Sequence, residues 1–105
     1  MDILDNFKKL VNKHFIEEHD IAFYENKLDL KPKYLSKLSK KNNEMPPCQI
    51  LIQKQIDHSL ALLRNTNKSV KEIAYEMNFK DPYYFSRIFK NKTGISPSQY
   101  RQSVS

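Results

Sequence analysis

One segment of the chain occurs twice. Displaced by 50 positions, Pro32, Tyr34, Ser36 and Lys40 fall on Pro82, Tyr84, Ser86 and Lys90. At the same displacement Leu35, Lys37 and Leu38 meet Phe85, Arg87 and Ile88, and Pro47 and Gln49 meet Pro97 and Gln99. Upstream, a displacement of 49 pairs Ile21, Tyr24, Leu28 and Leu30 with Val70, Ile73, Met77 and Phe79, so the second copy holds one added residue in its turn. A chain of 105 residues built this way folds as two small, similar units and a connector.

The units read as helical. The chain has a single Gly and little alternation of polar and apolar residues. Ile3, Leu4, Phe7, Leu10, Val11 and Phe15 follow a helical period, with Asp2 as the cap. Asp20 caps a short helix from Ile21 to Lys27, with Ile21, Tyr24 and Leu28 inward. Lys31-Pro32 starts a third helix, running to about Asn42, because Pro suits a first helical position; Tyr34, Leu35 and Leu38 are its apolar residues. Pro46-Pro47 ends that region and opens a longer helix to Arg64, with Ile52, Ile56, Ser59, Leu60 and Leu63 near one face. Its length is about 27 Å at ~1.5 Å per residue.

The second copy carries sharper signals. Ser69 and Glu72 have capping-box spacing. Val70, Ile73, Ala74 and Met77 form the inward stripe of the helix that follows. Asn78 suits a left-handed turn residue. Asp81-Pro82 opens another helix, with Tyr84, Phe85, Ile88 and Phe89 inward and Gly94 as its left-handed end. Ser96 and Gln99 start a last short helix with Tyr100 inward. The fold class is therefore all-α. It has about seven helices in two helix-turn-helix units of the homeodomain-like three-helix type, joined by a long linker helix. The divisions fall at residues 1–46, 47–65 and 66–105.

The net charge is +6, unevenly spread. Residues 1–30 sum to −3, residues 31–54 to +5 and residues 55–105 to +4. Such a basic surface suits a polyanion. The outward positions of the second helix in each copy are Lys33, Ser36, Lys37 and Lys40, and Tyr83, Ser86, Arg87 and Lys90. They include donors and no acids. An ordinary solvated helix mixes both signs, whereas a helix that meets phosphates and base edges excludes acids.

Other chemistries find no support. His14, His19 and His58 lack metal-ligand spacing, and one Gly cannot build a phosphate-binding loop. No catalytic constellation and no cofactor site is evident. Cys48 has no partner for a disulfide, which suits a reducing cytoplasm. No apolar run approaches the ~18 residues that cross a membrane, so the expectation is a soluble, cytoplasmic protein without membrane contact.

The run from Ser69 through Ile73-Ala74, Asn78-Phe79, Tyr84-Phe85-Ser86-Arg87-Ile88-Phe89-Lys90, Gly94 and Pro97 to Tyr100-Arg101 closely resembles the signature of AraC/XylS-type transcription regulators. A weaker resemblance, through Leu30 to Leu38, extends over nearly the whole chain. The resemblance implies a bacterial regulator whose two recognition helices, near 32–42 and 82–92, enter successive major grooves of double-stranded DNA. Those grooves lie about 34 Å apart. It places Lys33, Ser36 and Lys37, and Pro82, Tyr83, Ser86 and Arg87, at base-reading positions. Arg87 suits a bidentate grip on guanine, and Pro82 offers only apolar contact. Lys31, Lys40, Lys41, Lys90 and Lys92 are assigned to phosphates. The resemblance further implies RNA polymerase as a candidate partner, and either a stand-alone regulator or a longer chain with an effector-binding or dimerisation domain elsewhere.

The first copy departs from the pattern. Glu25 stands where a small residue packs, Ser39 where a core aromatic stands, and Glu44 where the turn has Gly. Asn43 is then the candidate for the left-handed position, and Glu25 must stay exposed or find a Lys. Gln55 replaces a basic residue in the linker helix. With the acidic first 30 residues, these departures support a rival reading, an interaction module that has lost DNA reading and binds another regulator or RNA polymerase.

Overall fold

The structure, a computed structural model, describes residues 2–104. Among them run seven helices and no strand. They are α1 (Ile3–His14), α2 (Ile21–Lys27), α3 (Tyr34–Lys41), α4 (Pro47–Asn65), α5 (Val70–Glu76), α6 (Pro82–Thr93) and α7 (Pro97–Val104). The all-α reading with seven helices holds. The chain forms two compact units, one ending at Lys54 and the other beginning at Gln55, so the division falls inside α4.

Most helix starts follow from local capping chemistry. Asp2 accepts from Leu4 N at 3.0 Å and Asp20 from Ala22 N at 3.0 Å. Ser69 and Glu72 bond reciprocally, both at 3.0 Å. Ser96 and Gln99 do the same at 2.9 and 3.1 Å. Gly94, at φ 87°, closes α6 with its N–H on Lys90 O at 2.8 Å. Asn43, at φ 54°, takes the left-handed position after α3, and Glu44 N reaches back to Ser39 O at 2.8 Å.

In the first unit α1 packs on α2 and α3 around Leu4, Phe7, Val11, Tyr24 and Leu35. The rings of Phe7 and Tyr24 meet edge to face at 5.6 Å. The Tyr24 hydroxyl donates to Glu18 O at 2.8 Å, so this buried polar tip is satisfied. Ser39, by contrast, is buried with an unpartnered hydroxyl where the second unit has Phe89. In the second unit α6 packs on α5 and α7, and Phe79, Phe85, Phe89 and Tyr100 form a chain of aromatic contacts at 5.2, 5.9 and 6.1 Å. Arg101 donates to Leu63 O at 3.2 Å and Thr66 O at 3.3 Å, which satisfies carbonyls left open at the end of α4.

Three expectations are corrected. First, α3 starts at Tyr34, not at Pro32. Lys31 cannot act as a capping acceptor, and this loop is one residue shorter than its counterpart. The chain instead makes a turn, with Tyr34 N on Lys31 O at 3.1 Å and Lys33 left-handed at φ 69°. Second, Tyr84 is not inward; it is 56% exposed, and its counterpart Tyr34 is 41% exposed. The Tyr84 ring leans toward Phe79 at 6.3 Å, an apolar body with a wet tip. Third, the buried residues of α4 are Pro47, Leu51, Gln55, Ile56, Ser59 and Leu63, whereas Ile52 and Leu60 are half-buried. Gln55 is packed, so it is not a missing donor on the surface.

Burial, followed by the charges of Glu18 and Glu17, pushes the Tyr24 phenol up to about 12 from its ordinary 10.0. A raised phenol resists ionisation in the folded state. Its contribution to stability is whole below pH 10.0 and is lost as pH rises through about 12. An alkaline absorbance titration should therefore show one tyrosine ionising near pH 12, together with loss of helical circular dichroism. Tyr24→Phe should remove that step; an unchanged curve in the variant would refute the assignment.

Candidate nucleic-acid interface

Each unit contains two helices joined by the same turn. After α5, Met77 N bonds Ile73 O, Asn78 N bonds Tyr75 O and Phe79 N bonds Ala74 O, at 3.0, 3.0 and 2.9 Å. After α2, Leu28 N bonds Tyr24 O, Asp29 N bonds Asn26 O and Leu30 N bonds Glu25 O, at 3.0, 3.1 and 2.9 Å. The left-handed residue is Asn78 at φ 63° in one and Asp29 at φ 57° in the other. This is a helix ending of the Schellman kind, and it sends the chain sharply into the second helix of each pair.

In the second unit that helix is α6. Asp81 is extended at φ −145° and accepts from Tyr83 N at 2.9 Å, with Pro82 in the first turn. Phe85 and Phe89 pin one face of α6 to the core. The other side carries Tyr83, 81% exposed, and Arg87 and Lys90, both exposed. Pro82, Ser86 and Lys92 are half-buried. Positions 83, 86, 87 and 90 share a face by helical spacing. No acid lies within Pro82–Thr93. Among the described residues, the side-chain ion pairs join Lys8 to Glu44, His14 to Glu17 and Lys68 to Glu76, so Arg87, Lys90 and Lys92 are left without acidic partners. A surface salt bridge is thus not what Arg87 serves here.

In the first unit the corresponding helix is α3. Leu35 and Ser39 face the core, while Ser36, Lys37, Lys40 and Lys41 are exposed. No acid lies within Tyr34–Lys41. Lys31 and Lys33 are also exposed but precede the helix, with Lys33 at its left-handed cap. Expected to lie on the helix itself, Lys33 sits at a corner because the turn from Lys31 to Tyr34 takes up the first helical positions. Glu25 is only 8% exposed, so it does not stay outside. It does find Lys33, but through the backbone: Lys33 N donates to Glu25 Oε2 at 2.8 Å.

Sequence reasoning overlooked Tyr84 and Lys80 as exposed groups beside this surface. A hydroxyl-bearing aromatic just before the Phe85–Phe89 stripe, and a Lys in the added loop position, were the available signals. Among the described residues no His, Cys, Asp and Glu group is arranged to hold a metal ion. His14 is engaged by Glu17 at 2.9 Å and His19 by Ile16 O at 2.9 Å. Cys48 is a free, exposed thiol. No helix is long and apolar enough to cross a membrane among the described residues.

Residues 24–103 match the family described as a helix-turn-helix domain. The chain is 31% identical over 104 residues to the Msm operon regulatory protein of Streptococcus mutans, covering 96% of this chain and 36% of that protein. The chain belongs to the AraC/XylS family of transcription regulators. Its fold is similar to the C-terminal domain of AraT, a response regulator from Geobacillus stearothermophilus. The TM-score there is 0.88 at 28% identity, over 98% of this chain and 86% of that one. It also shares its fold with the DNA-binding domain of AdpA, a global transcriptional factor solved with a target DNA. That match has a TM-score of 0.85 at 22% identity, over 98% of this chain and 93% of that one. The chain spans about a third of the length of the curated relatives it matches. AraC/XylS proteins are DNA-binding transcription regulators and not enzymes.

The Asp81 cap fixes the first turn of α6 and with it Tyr83. Asp81→Ala should lower stability by about 1 kcal/mol, the usual cost of a lost N-cap. Urea unfolding followed by circular dichroism measures this, and a variant as stable as the parent would show that Pro82 alone sets the helix start.

Proposed function

We propose that this chain binds double-stranded DNA in a sequence-specific manner, with α6 as the principal reading helix. The observation that carries this reading is the exposed face of α6. It combines an unpaired guanidinium, an exposed phenol and an exposed ammonium group on a helix without acids. Arg87 grips guanine O6 and N7. Tyr83 and Ser86 touch neighbouring base edges, with Pro82 in apolar contact. Lys90 and Lys92 neutralise phosphates, which position the helix without specifying sequence.

The first unit uses α3 in the same way but more weakly. Ser36 and Lys37 face bases from its first two turns, and Lys33 does so from the corner that precedes it. Lys31, Lys40 and Lys41 anchor the phosphates. The two helices serve successive major grooves, and the binding site covers roughly 15–20 base pairs. Effector sensing or dimerisation belongs to a region outside these helices, RNA polymerase is the further partner of the bound regulator, and its place of action is the cytoplasm.

A duplex recovered by selection from a randomised library provides the probe, and titration at several salt concentrations provides the measurement. Affinity should fall with salt, at a slope of about −0.9 per phosphate neutralised. No duplex affinity, or affinity indifferent to salt, would replace this reading with that of a protein-interaction module.

Two substitutions separate the roles. Arg87→Ala should cost about 1–3 kcal/mol on the selected duplex and relax preference at a single position. Lys90→Ala should weaken all duplexes alike and reduce the salt slope by about one. If both variants bind like the parent, the assignment of α6 to the groove is wrong.

A further inference from the structure

The same backbone N–H meets a carboxylate in both units, but the carboxylate comes from different places. In the second unit Tyr83 N donates to Asp81 Oδ1 at 2.9 Å. In the first, its counterpart Lys33 N donates to Glu25 Oε2 at 2.8 Å. The counterpart of Asp81 is Lys31, which has no acceptor to offer, and the counterpart of Glu25 is Ala74, which has no polar side chain. The acceptor has moved from the loop to the preceding helix. Two departures that look unrelated in the sequence, a lost cap and an acid at a packing position, compensate one another.

We propose that Glu25 is a positioning residue for the first recognition helix, capping α3 from within α2 and so setting how Lys33, Ser36 and Lys37 meet DNA. The inference rests on the DNA-binding reading above. Glu25 is buried, and a carboxylate so placed needs a donor. Lys33 supplies one through its backbone N–H at the corner before α3, and its φ of 69° sets the direction in which α3 leaves that bonded N–H. That conformation is unfavourable for a side-chain-bearing residue and persists only where its surroundings hold it. The carboxylate also lies at the N-terminal end of the eight-residue α3, where negative charge is favoured. Glu25 is anchored in turn by its own backbone, since its carbonyl accepts from Leu30 N at 2.9 Å. One residue thus closes the tight turn with its main chain and fixes the recognition corner with its side chain.

The test uses the 105-residue chain, the selected duplex and a panel of its single-base variants. In the free protein, Glu25→Ala should move the Lys33 amide proton resonance upfield, as a charge-assisted hydrogen bond is lost. On DNA the same variant should lose about tenfold in affinity, the scale of one base contact, with the loss confined to base pairs read by the first unit. Glu25→Gln keeps an acceptor and should stay within about threefold of the parent. Glu25→Ala combined with Lys31→Ser returns an acceptor to the place it has in the second unit, and should restore both the Lys33 resonance and the base preference. It also serves if the single variant fails to fold. An unmoved Lys33 resonance in Glu25→Ala overturns the proposal. So does a loss of stability with base preference intact, or a loss shared equally by all base pairs. Absence of duplex binding by the parent would overturn the DNA reading instead, while the Lys33 resonance in the free protein still decides what Glu25 holds.

Discussion

The rest of each unit depends on one backbone hydrogen bond, from Phe79 N to Ala74 O in the second and from Leu30 N to Glu25 O in the first, both 2.9 Å. It closes the turn between the two helices of the pair. Closing it requires one residue in the left-handed region, and Asn78 and Asp29 are residue types that tolerate this. Once the turn is closed, the next helix can bury only one face. In the second unit that face is Phe85 and Phe89, and Tyr83, Arg87 and Lys90 are driven outward by the helical period alone. The exposed face of α6 is thus a by-product of how the core is made.

Much of this was legible in the sequence because helix boundaries carry their own chemistry. Asp2, Asp20, Ser69, Asp81 and Ser96 each bond a backbone N–H or a near neighbour within three residues, so a local reading suffices. Gly94 and Asn78 announce their left-handed conformations by residue type. What was not legible depends on groups distant along the chain. Glu25 reaches a backbone N–H eight residues away, across a turn. Nothing in the local pattern indicates that an acid at a packing position will find a main-chain donor rather than a lysine side chain. Tyr84 was misplaced for another reason: an aromatic residue beside an apolar stripe can sit at its edge, and this ring leans toward Phe79 with more than half of the residue exposed.

The linker helix shows a third kind of limit. A helix serving one core has one apolar stripe. The division between the units falls within α4, so Leu51 is buried in the first unit and Ile56, Ser59 and Leu63 in the second. A single periodic face was the wrong template for such a helix. Gln55 and Ser59 are tolerated inside because their polar atoms are engaged; the Ser59 hydroxyl donates to Ile56 O at 2.8 Å.

The two units solve one structural problem at different expense to their core. The second caps α6 with a loop aspartate and fills the space beneath with Ala74 and Phe89. The first has Lys31 in the loop, places a carboxylate in the packing position, and puts the small Ser39, with its hydroxyl unpartnered, where the aromatic would stand. A buried acid and an unsatisfied hydroxyl both weaken a small core. Lys31 adds positive charge ahead of α3, where the second unit has the negative charge of Asp81 ahead of α6. Exchanging a loop carboxylate for a buried one therefore moves stability out of the first unit and electrostatic attraction into it. That balance suits the phosphate anchoring proposed for Lys31, Lys40 and Lys41.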